Sequence, residues 1–234
     1  MNSSSASLFS TPSSQASALQ IETFVSGPLQ TNTFLLIDTQ LQQFVVIDPS
    51  IQSDAALARA QELQKSGNTL QAIWNTHGHF DHIYDNARWK KVFGAPVWAH
   101  AGDEFFLENL GEQSIWFGLP APETTAIDHF LNDGDTLKVG DFACRVLFLP
   151  GHSPGSVGFY FEAQNLCIQG DVLFEGSVGR TDLPASNERD LAVSVRRLFE
   201  LPPQTQILTG HGAATTIAAE KRDNTIARAL LARF

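Results

Sequence analysis

Thr76-His77-Gly78-His79-Phe80-Asp81-His82 is the stretch on which the reading of this chain turns. It places four metal-capable side chains between positions 77 and 82, directly after the apolar run 71–74. In an extended exit from a strand, His77 and His79 point to the same side. The turn that follows can aim Asp81 and His82 toward a neighbouring position. A histidine-rich loop alone can also be a solvated surface cluster, and the other histidines decide between the two. The chain has seven, three of them in this stretch. His152 follows Phe148-Leu149-Pro150-Gly151, and His211 follows Ile207-Leu208-Thr209-Gly210. Asp171 follows Leu166-Cys167-Ile168-Gln169-Gly170. Each is a ligand-type residue set immediately after a glycine at the end of an apolar strand. Glycine permits a sharp exit and a close backbone approach, so these loops can converge on one edge of the sheets.

Working outward, residues 21–25, 33–37 and 44–47 are β-branched and aromatic runs separated by Gly27-Pro28 and a polar stretch at 38–43, which predicts consecutive antiparallel strands. Ser53 can cap a helix running to Gly67, with Ala56, Ala60 and Leu63 on one face. A strand at 71–74, a helix over 83–93 and a strand at 96–99 come next. After an interruption at 111–128, strands recur at 142–149, 157–161 and 166–168. A helix over 188–201 carries Leu191, Val195 and Leu198 on one face, and a strand at 206–208 precedes a closing helix over 215–230. Strands and helices alternate in both halves, which implies α/β layers on one shared core over 19–234. Residues 1–18, rich in serine and without a buried-face period, read as a disordered tail.

Composition narrows the function classes. The chain has 234 residues, 43% of them hydrophobic and 17% charged, enough apolar material for a sizeable core. Fifteen Lys and Arg stand against 25 Asp and Glu, for a net charge of −10, which argues against a phosphate-backbone binder and hence against a nucleic-acid partner. The two cysteines, Cys144 and Cys167, cannot make a disulfide framework and fall inside strand runs as small core fillers. A reduced, cytoplasmic setting is expected. No run approaches the ~18 apolar residues of a membrane span, and the first basic residue is Arg59, so no charged signal or transit segment is expected.

The marks THGHFDH at 76–82, LPGHSPGSV at 149–157, GDVLFEGSVGRTDLP at 170–184 and TGHG at 209–212 together resemble the metallo-β-lactamase-fold hydrolases, and within them the small glyoxalase II-like enzymes. The similarity runs from about position 21 to 222. It implies an αβ/βα four-layer sandwich of two mixed sheets faced by helices, with a two-metal site at the sheet edges. Carried over position by position, one metal would take His77, His79 and His152, and the second Asp81, His82 and His211. Asp171 would bridge the two, and Asp81 and Asp171 would also be the catalytic carboxylates. Imidazole and carboxylate donors suit zinc, iron and manganese alike, and no thiolate biases the choice; zinc is the first expectation, with iron or manganese as alternatives. Two divalent ions set against Asp81, Asp171 and one hydroxide leave about one positive charge, which favours an anionic small-molecule substrate despite the acidic surface.

The resemblance implies hydrolysis of thioesters of the hydroxyacylglutathione type, such as S-D-lactoylglutathione. A thiolate leaves easily at neutral pH, so the lack of an obvious extra general acid is tolerable. The alternative is a persulfide dioxygenase of the same fold, with one iron held by His77, His152 and Asp171. Three departures from the family pattern stand out. Tyr84-Asp85 replaces the usual Gly-Gly turn after Asp81-His82, and Asn224-Thr225 replaces the common Asn-Pro. Little chain follows His211, with no counterpart of the added helical domain that holds glutathione in full-length glyoxalase II enzymes. Arg180 either braces its loop through Asp182 or reaches a substrate carboxylate. His100 and His129 fall outside the constellation. The segment 111–128, with Trp116, Phe117, Leu119, Pro120 and Pro122, is either a lid over the metal cleft or a dimer contact, so the oligomeric state stays open, a homodimer included.

Overall fold

The structure, a computed structural model, describes residues 18–234. The tail expected over 1–18 lies outside the described residues except for Ala18. β1 (Leu19–Ser26), β2 (Thr31–Asp38) and β3 (Gln43–Ile47) form the expected antiparallel meander. Then follow α1 (Asp54–Lys65), β4 (Thr69–Trp74), α2 (Phe80–Ile83), α3 (Asn86–Phe93), β5 (Val97–His100), α4 (Glu104–Glu108), α5 (Leu110–Trp116) and β6 (His129–Leu131). These strands make one sheet in the order β1-β2-β3-β4-β5-β6, parallel from β3 onward. The second half contains β7 (Thr136–Val139), β8 (Phe142–Phe148), β9 (Val157–Phe161), β10 (Leu166–Ile168), the small hairpin β11 (Leu173–Phe174) and β12 (Ser177–Val178), α6 (Glu188–Phe199), β13 (Gln206–Leu208), β14 (Thr215–Thr216), α7 (Ile217–Asp223) and α8 (Thr225–Leu231). Its sheet runs β14-β13-β10-β9-β8-β7, with a single parallel pair, β10 and β13.

The layering follows from period-two side-chain alternation in strands buried on both faces. Every residue of β2 is buried: Leu35 and Ile37 face α1 and α3, whereas Phe34 and Leu36 face the other sheet. β9 and β10 repeat the device, with Phe159 and Ile168 between the sheets and Tyr160 and Cys167 turned toward α6. Three apolar layers therefore separate four structural layers, helix, sheet, sheet, helix, which is the αβ/βα sandwich expected. Cys144 and Cys167 are buried and unpaired, and burial raises both thiols, Cys144 to about 12.

Four local expectations need correction. The helix expected over 83–93 is two pieces, α2 and α3, because Tyr84-Asp85 turns the chain between them. The Asp85 carboxylate accepts from the Ser53 amide at 3.1 Å and its hydroxyl at 2.7 Å. Ser53 consequently does not cap α1 with its side chain; its hydroxyl is engaged by Asp85 and accepts from Trp89 Nε1 at 2.9 Å. The closing helix is likewise broken at Asn224, whose side chain caps α8 and reaches Ser177 O at 2.8 Å. The interruption at 111–128 begins inside a helix, α5, and only then becomes an irregular run.

One sheet edge gathers the loops that matter. The Val157 amide donates to Thr76 O at 2.8 Å, which stitches one sheet to the other beside the 76–82 loop. The Gly210 amide donates to Gly170 O at 2.8 Å, and the Asn32 amide donates to Gly210 O at 2.7 Å. The ends of β2, β4, β8, β10 and β13 are thus drawn to the same place.

Candidate metal centre

All seven sequence-predicted residues meet at that edge. His77 Nε2 and the facing pair His79 Nδ1 and His152 Nε2, 2.9 Å apart, form one group. His82 Nε2, His211 Nε2 and Asp81 Oδ2 form a second, with His82 and His211 3.4 Å apart and Asp81 3.4 and 3.2 Å from them. Asp171 Oδ2 lies 3.5 Å from His152 Nε2 and 3.4 Å from His211 Nε2, so one carboxylate oxygen reaches both groups. Donors placed tetrahedrally at about 2.1 Å from an ion are about 3.4 Å apart; the second group and the contacts of Asp171 have that spacing, whereas His79 Nδ1 and His152 Nε2, at 2.9 Å, stand closer.

The outer contacts fix which nitrogen each ring offers. His82 Nδ1 donates to Asp48 Oδ2 at 2.9 Å, His152 Nδ1 to Arg180 O at 2.9 Å and His211 Nδ1 to Leu29 O at 3.0 Å. The Thr76 hydroxyl donates to Asp48 Oδ2 at 2.6 Å and so accepts from His77 Nδ1 at 3.1 Å. Each of these four histidines is left with Nε2 pointing inward, and on His82 and His211 that nitrogen faces the Asp81 and Asp171 carboxylates and carries a proton until a metal displaces it. Asp48 achieves this from a backbone φ of +51°, the left-handed region that aspartate tolerates better than most residues. It also lies near His77 and His82 in a third cluster of potential ligand atoms, but its contacts are those of a group that orients ligands. Asp81 is held by the Thr31 hydroxyl at 2.9 Å.

Two observations show that cations fit. His77 Nε2 and Asp171 Oδ1 are buried with no hydrogen-bond partner, a cost of about 1–3 kcal/mol for a neutral group and more for a carboxylate. The backbone also makes room at this point. A Cβ built on Gly210 would collide with Asp171 Oδ1 and lie 2.6 Å from His82 Cε1. Charge divides the site in two. Burial holds His77 well below the usual histidine range and His79 down to about 3. Burial opposes charge on His82 and His211 as well, but the Asp81 and Asp171 carboxylates overcome it and raise them to about 9 and about 11. Asp81 and Asp171, although buried, are held below the usual carboxylate range, chiefly by His82.

A cleft of about 410 Å³ opens over these residues. Trp116 at the end of α5 and Phe117 just after it stand in its wall, Phe117 stacked on Phe80 with centroids 4.3 Å apart. Segment 111–128 thus contributes to the cleft, although Trp116 is 68% exposed. Arg180 braces Asp182 through hydrogen bonds of 2.7 and 2.8 Å while also lining the cleft. His100 Nδ1 accepts from the Gly102 amide at 3.0 Å, and its ring stacks on Phe148. The His129 ring lies tilted against Trp98, centroids 4.3 Å apart. Neither joins the cluster. Asp48, Asp103 and the carbonyls of Leu29 and Arg180 are contributors that sequence reasoning missed.

Fold and site together define a metal-dependent hydrolase class, and the His and Asp clusters fit its dinuclear site. Residues 26–211 match the family model of the metallo-beta-lactamase superfamily, and the chain belongs to that superfamily. It is 38% identical to hydroxyacylglutathione hydrolase GloC of Haemophilus influenzae over 176 residues, 74% of this chain and 82% of that protein. Among solved structures it is similar to the BLEG-1 B3 metallo-beta-lactamase, with a TM-score of 0.79, 33% identity and coverage of 88% of this chain and 98% of that one. It is also similar to TTHA1623 in a di-iron-bound form, with a TM-score of 0.78, 36% identity and coverage of 87% and 98%.

Proposed function

We propose that this chain hydrolyses thioesters of the hydroxyacylglutathione type with two divalent ions. His77, His79 and His152 would hold one ion, Asp81, His82 and His211 the other, and Asp171 would lie between them. The observation that carries the reading is the reach of Asp171 Oδ2 to both His152 and His211. Zinc is the first expectation, and iron and manganese are alternatives because the donors in these groups are imidazole and carboxylate, with no cysteine among them to favour zinc. The named activity of the relative GloC supports the thioester class.

Bound together, two such ions supply Lewis acidity and lower the pKa of water toward about 7. The chain's own residues do the rest. Asp81 and Asp171 stay ionised at neutral pH and are available to hold a proton released as water adds. The carbonyls of Leu29 and Arg180 keep His211 and His152 from swinging into the cleft. The Phe80 and Phe117 rings close one side against bulk water. In the overall reaction a water oxygen bonds to the thioester carbon, the C–S bond breaks, and carboxylate, thiol and one proton are released. Because the thiolate departs without prior protonation, no separate acid is required. An anionic substrate suits a centre with about one positive charge, and a cytoplasmic setting suits two buried, unpaired thiols.

The test is thiol release from S-D-lactoylglutathione, run beside oxygen uptake with glutathione persulfide on the same iron-loaded sample. Thiol release without oxygen uptake is expected. Rapid oxygen uptake with no thiol released from any thioester would replace this reading with the single-iron dioxygenase.

A further inference from the structure

Apart from Gln113, Ser177 and Arg180, the walls of the cleft above the metal-ligand cluster are apolar side chains. Phe106, Trp116 and Phe117 come from α4, α5 and the position just after α5, and Phe174 and Leu183 from the β11–β12 hairpin and the loop after it, while Leu29 of the β1–β2 turn closes one end. Among the described residues that line it, Arg180 is the one with a permanent positive charge, and that charge is already matched by Asp182 in a two-point contact. A glutathione moiety carries two carboxylates and an ammonium group at neutral pH and needs charged partners along its length. These walls offer rings instead. Trp116 and Phe117, which line the cleft, are 68% and 52% exposed, apolar area that is still uncovered. The positive charge of the reaction centre is confined to its floor, beneath the reacting carbonyl.

We infer that the part of the substrate remote from the scissile thioester is uncharged and apolar, with the bulk of a ring or a branched chain, and that it lies against Trp116 and Phe117. This rests on the thioester-hydrolase chemistry proposed above and narrows it: glutathione thioesters remain substrates, but the preferred thiol is an apolar one rather than glutathione. The specificity follows from desolvation. A ring moved from water onto such walls gains roughly tenfold to a hundredfold in affinity, whereas a charged tripeptide placed there loses hydration without gaining an ion pair.

The experiment pairs two thioesters of the same acyl group, lactoyl, on glutathione and on 2-phenylethanethiol, assayed by thiol release with metal-loaded protein. A kcat/KM at least about tenfold higher for the phenylethyl thioester is expected. Trp116→Ser and Phe117→Ser, at exposed positions that tolerate change, should each pull that ratio toward unity. Val193→Ser, on an exposed face of α6 away from the cleft, should leave it unaltered. A ratio that favours glutathione, or one that both cleft variants leave untouched, overturns the inference. The uncleavable thioether analogues of both compounds are titrated by calorimetry on the same protein. Tighter binding of the phenylethyl analogue upholds the apolar preference even in a protein that cleaves neither thioester, a result that would sink the hydrolase reading alone. Equal or tighter binding of the glutathione analogue overturns the preference itself.

Discussion

The Asp103 carboxylate accepts a hydrogen bond of 2.7 Å from the amide of Gly78, the residue between His77 and His79. The same side chain accepts from the Gly155 amide and from the Ser153 hydroxyl, each at 2.6 Å. One fully buried carboxylate therefore ties the loop that carries two members of the histidine triad to the loop that carries the third.

Removal of that tie should loosen the triad. Asp103→Ala leaves two buried amides without an acceptor, while the Ser153 hydroxyl keeps Ser156 Oγ at 2.8 Å; the loss is about 2 kcal/mol or more, and Tm should fall by about 4–8 °C. Metal should pass to a chelator more readily than from the parent protein. Asp103→Asn, which keeps one acceptor oxygen, should fall between the two. Melting and chelator competition on the three proteins check this, and an unchanged Asp103→Ala protein would refute the clamp.

Gly210→Ala isolates steric demand at the centre. The added methyl would meet Asp171 Oδ1 and His82 Cε1, so the Asp171 carboxylate must move off its position between the two groups. Turnover should fall by about two orders of magnitude or more, because a displacement of the order of 1 Å at a reacting centre costs about that much. Circular dichroism should remain that of the parent. Near-normal turnover would show that the carboxylate position is not critical.

Asp48→Asn removes the charge that orients His82 and holds Thr76. Metal affinity should drop by roughly 10–100-fold, measured by competition with a chromogenic chelator, while the fold persists. An affinity within twofold of the parent would contradict the orienting role.

The pH behaviour of the metal-free protein has a definite sign. His82 and His211 are raised to about 9 and about 11, above their unfolded value of about 6.5. Their contribution to stability is therefore full below about 6.5 and is lost as pH rises through about 9 and then about 11. Metal uptake at neutral pH must also displace protons from these rings, so affinity at the Asp81, His82 and His211 group should increase with pH. Melting of chelated protein from pH 7 to 11, and calorimetry in buffers of different ionisation enthalpy, test both halves. A flat melting profile and no proton release would contradict them.

The ligand-type residues were legible because each stands at a strand exit in a pattern repeated along the chain, and chemistry rather than packing explains such repetition. Asp48 obeys the same rule, at the end of β3, but a single Asp-Pro after a strand does not stand out among 25 acidic residues. Asp103 was invisible for another reason: its value depends on amides of Gly78 and Gly155, which only tertiary structure brings to it. The carbonyls of Leu29 and Arg180 carry no sequence signature at all. Among the elements, the long buried strands were read closely, whereas β6 and β7, short and largely exposed, were missed. The breaks at Tyr84-Asp85 and Asn224 escaped because a one- or two-residue turn barely disturbs helical periodicity.

The central claim is that two ions share Asp171. Its most direct test is the number of divalent metal equivalents bound per chain at equilibrium, measured for the parent, Asp171→Ala and His211→Ala. The account predicts about two equivalents in the parent, loss of both on Asp171→Ala, and retention of about one on His211→Ala. A single equivalent in the parent that survives His211→Ala unchanged would contradict it.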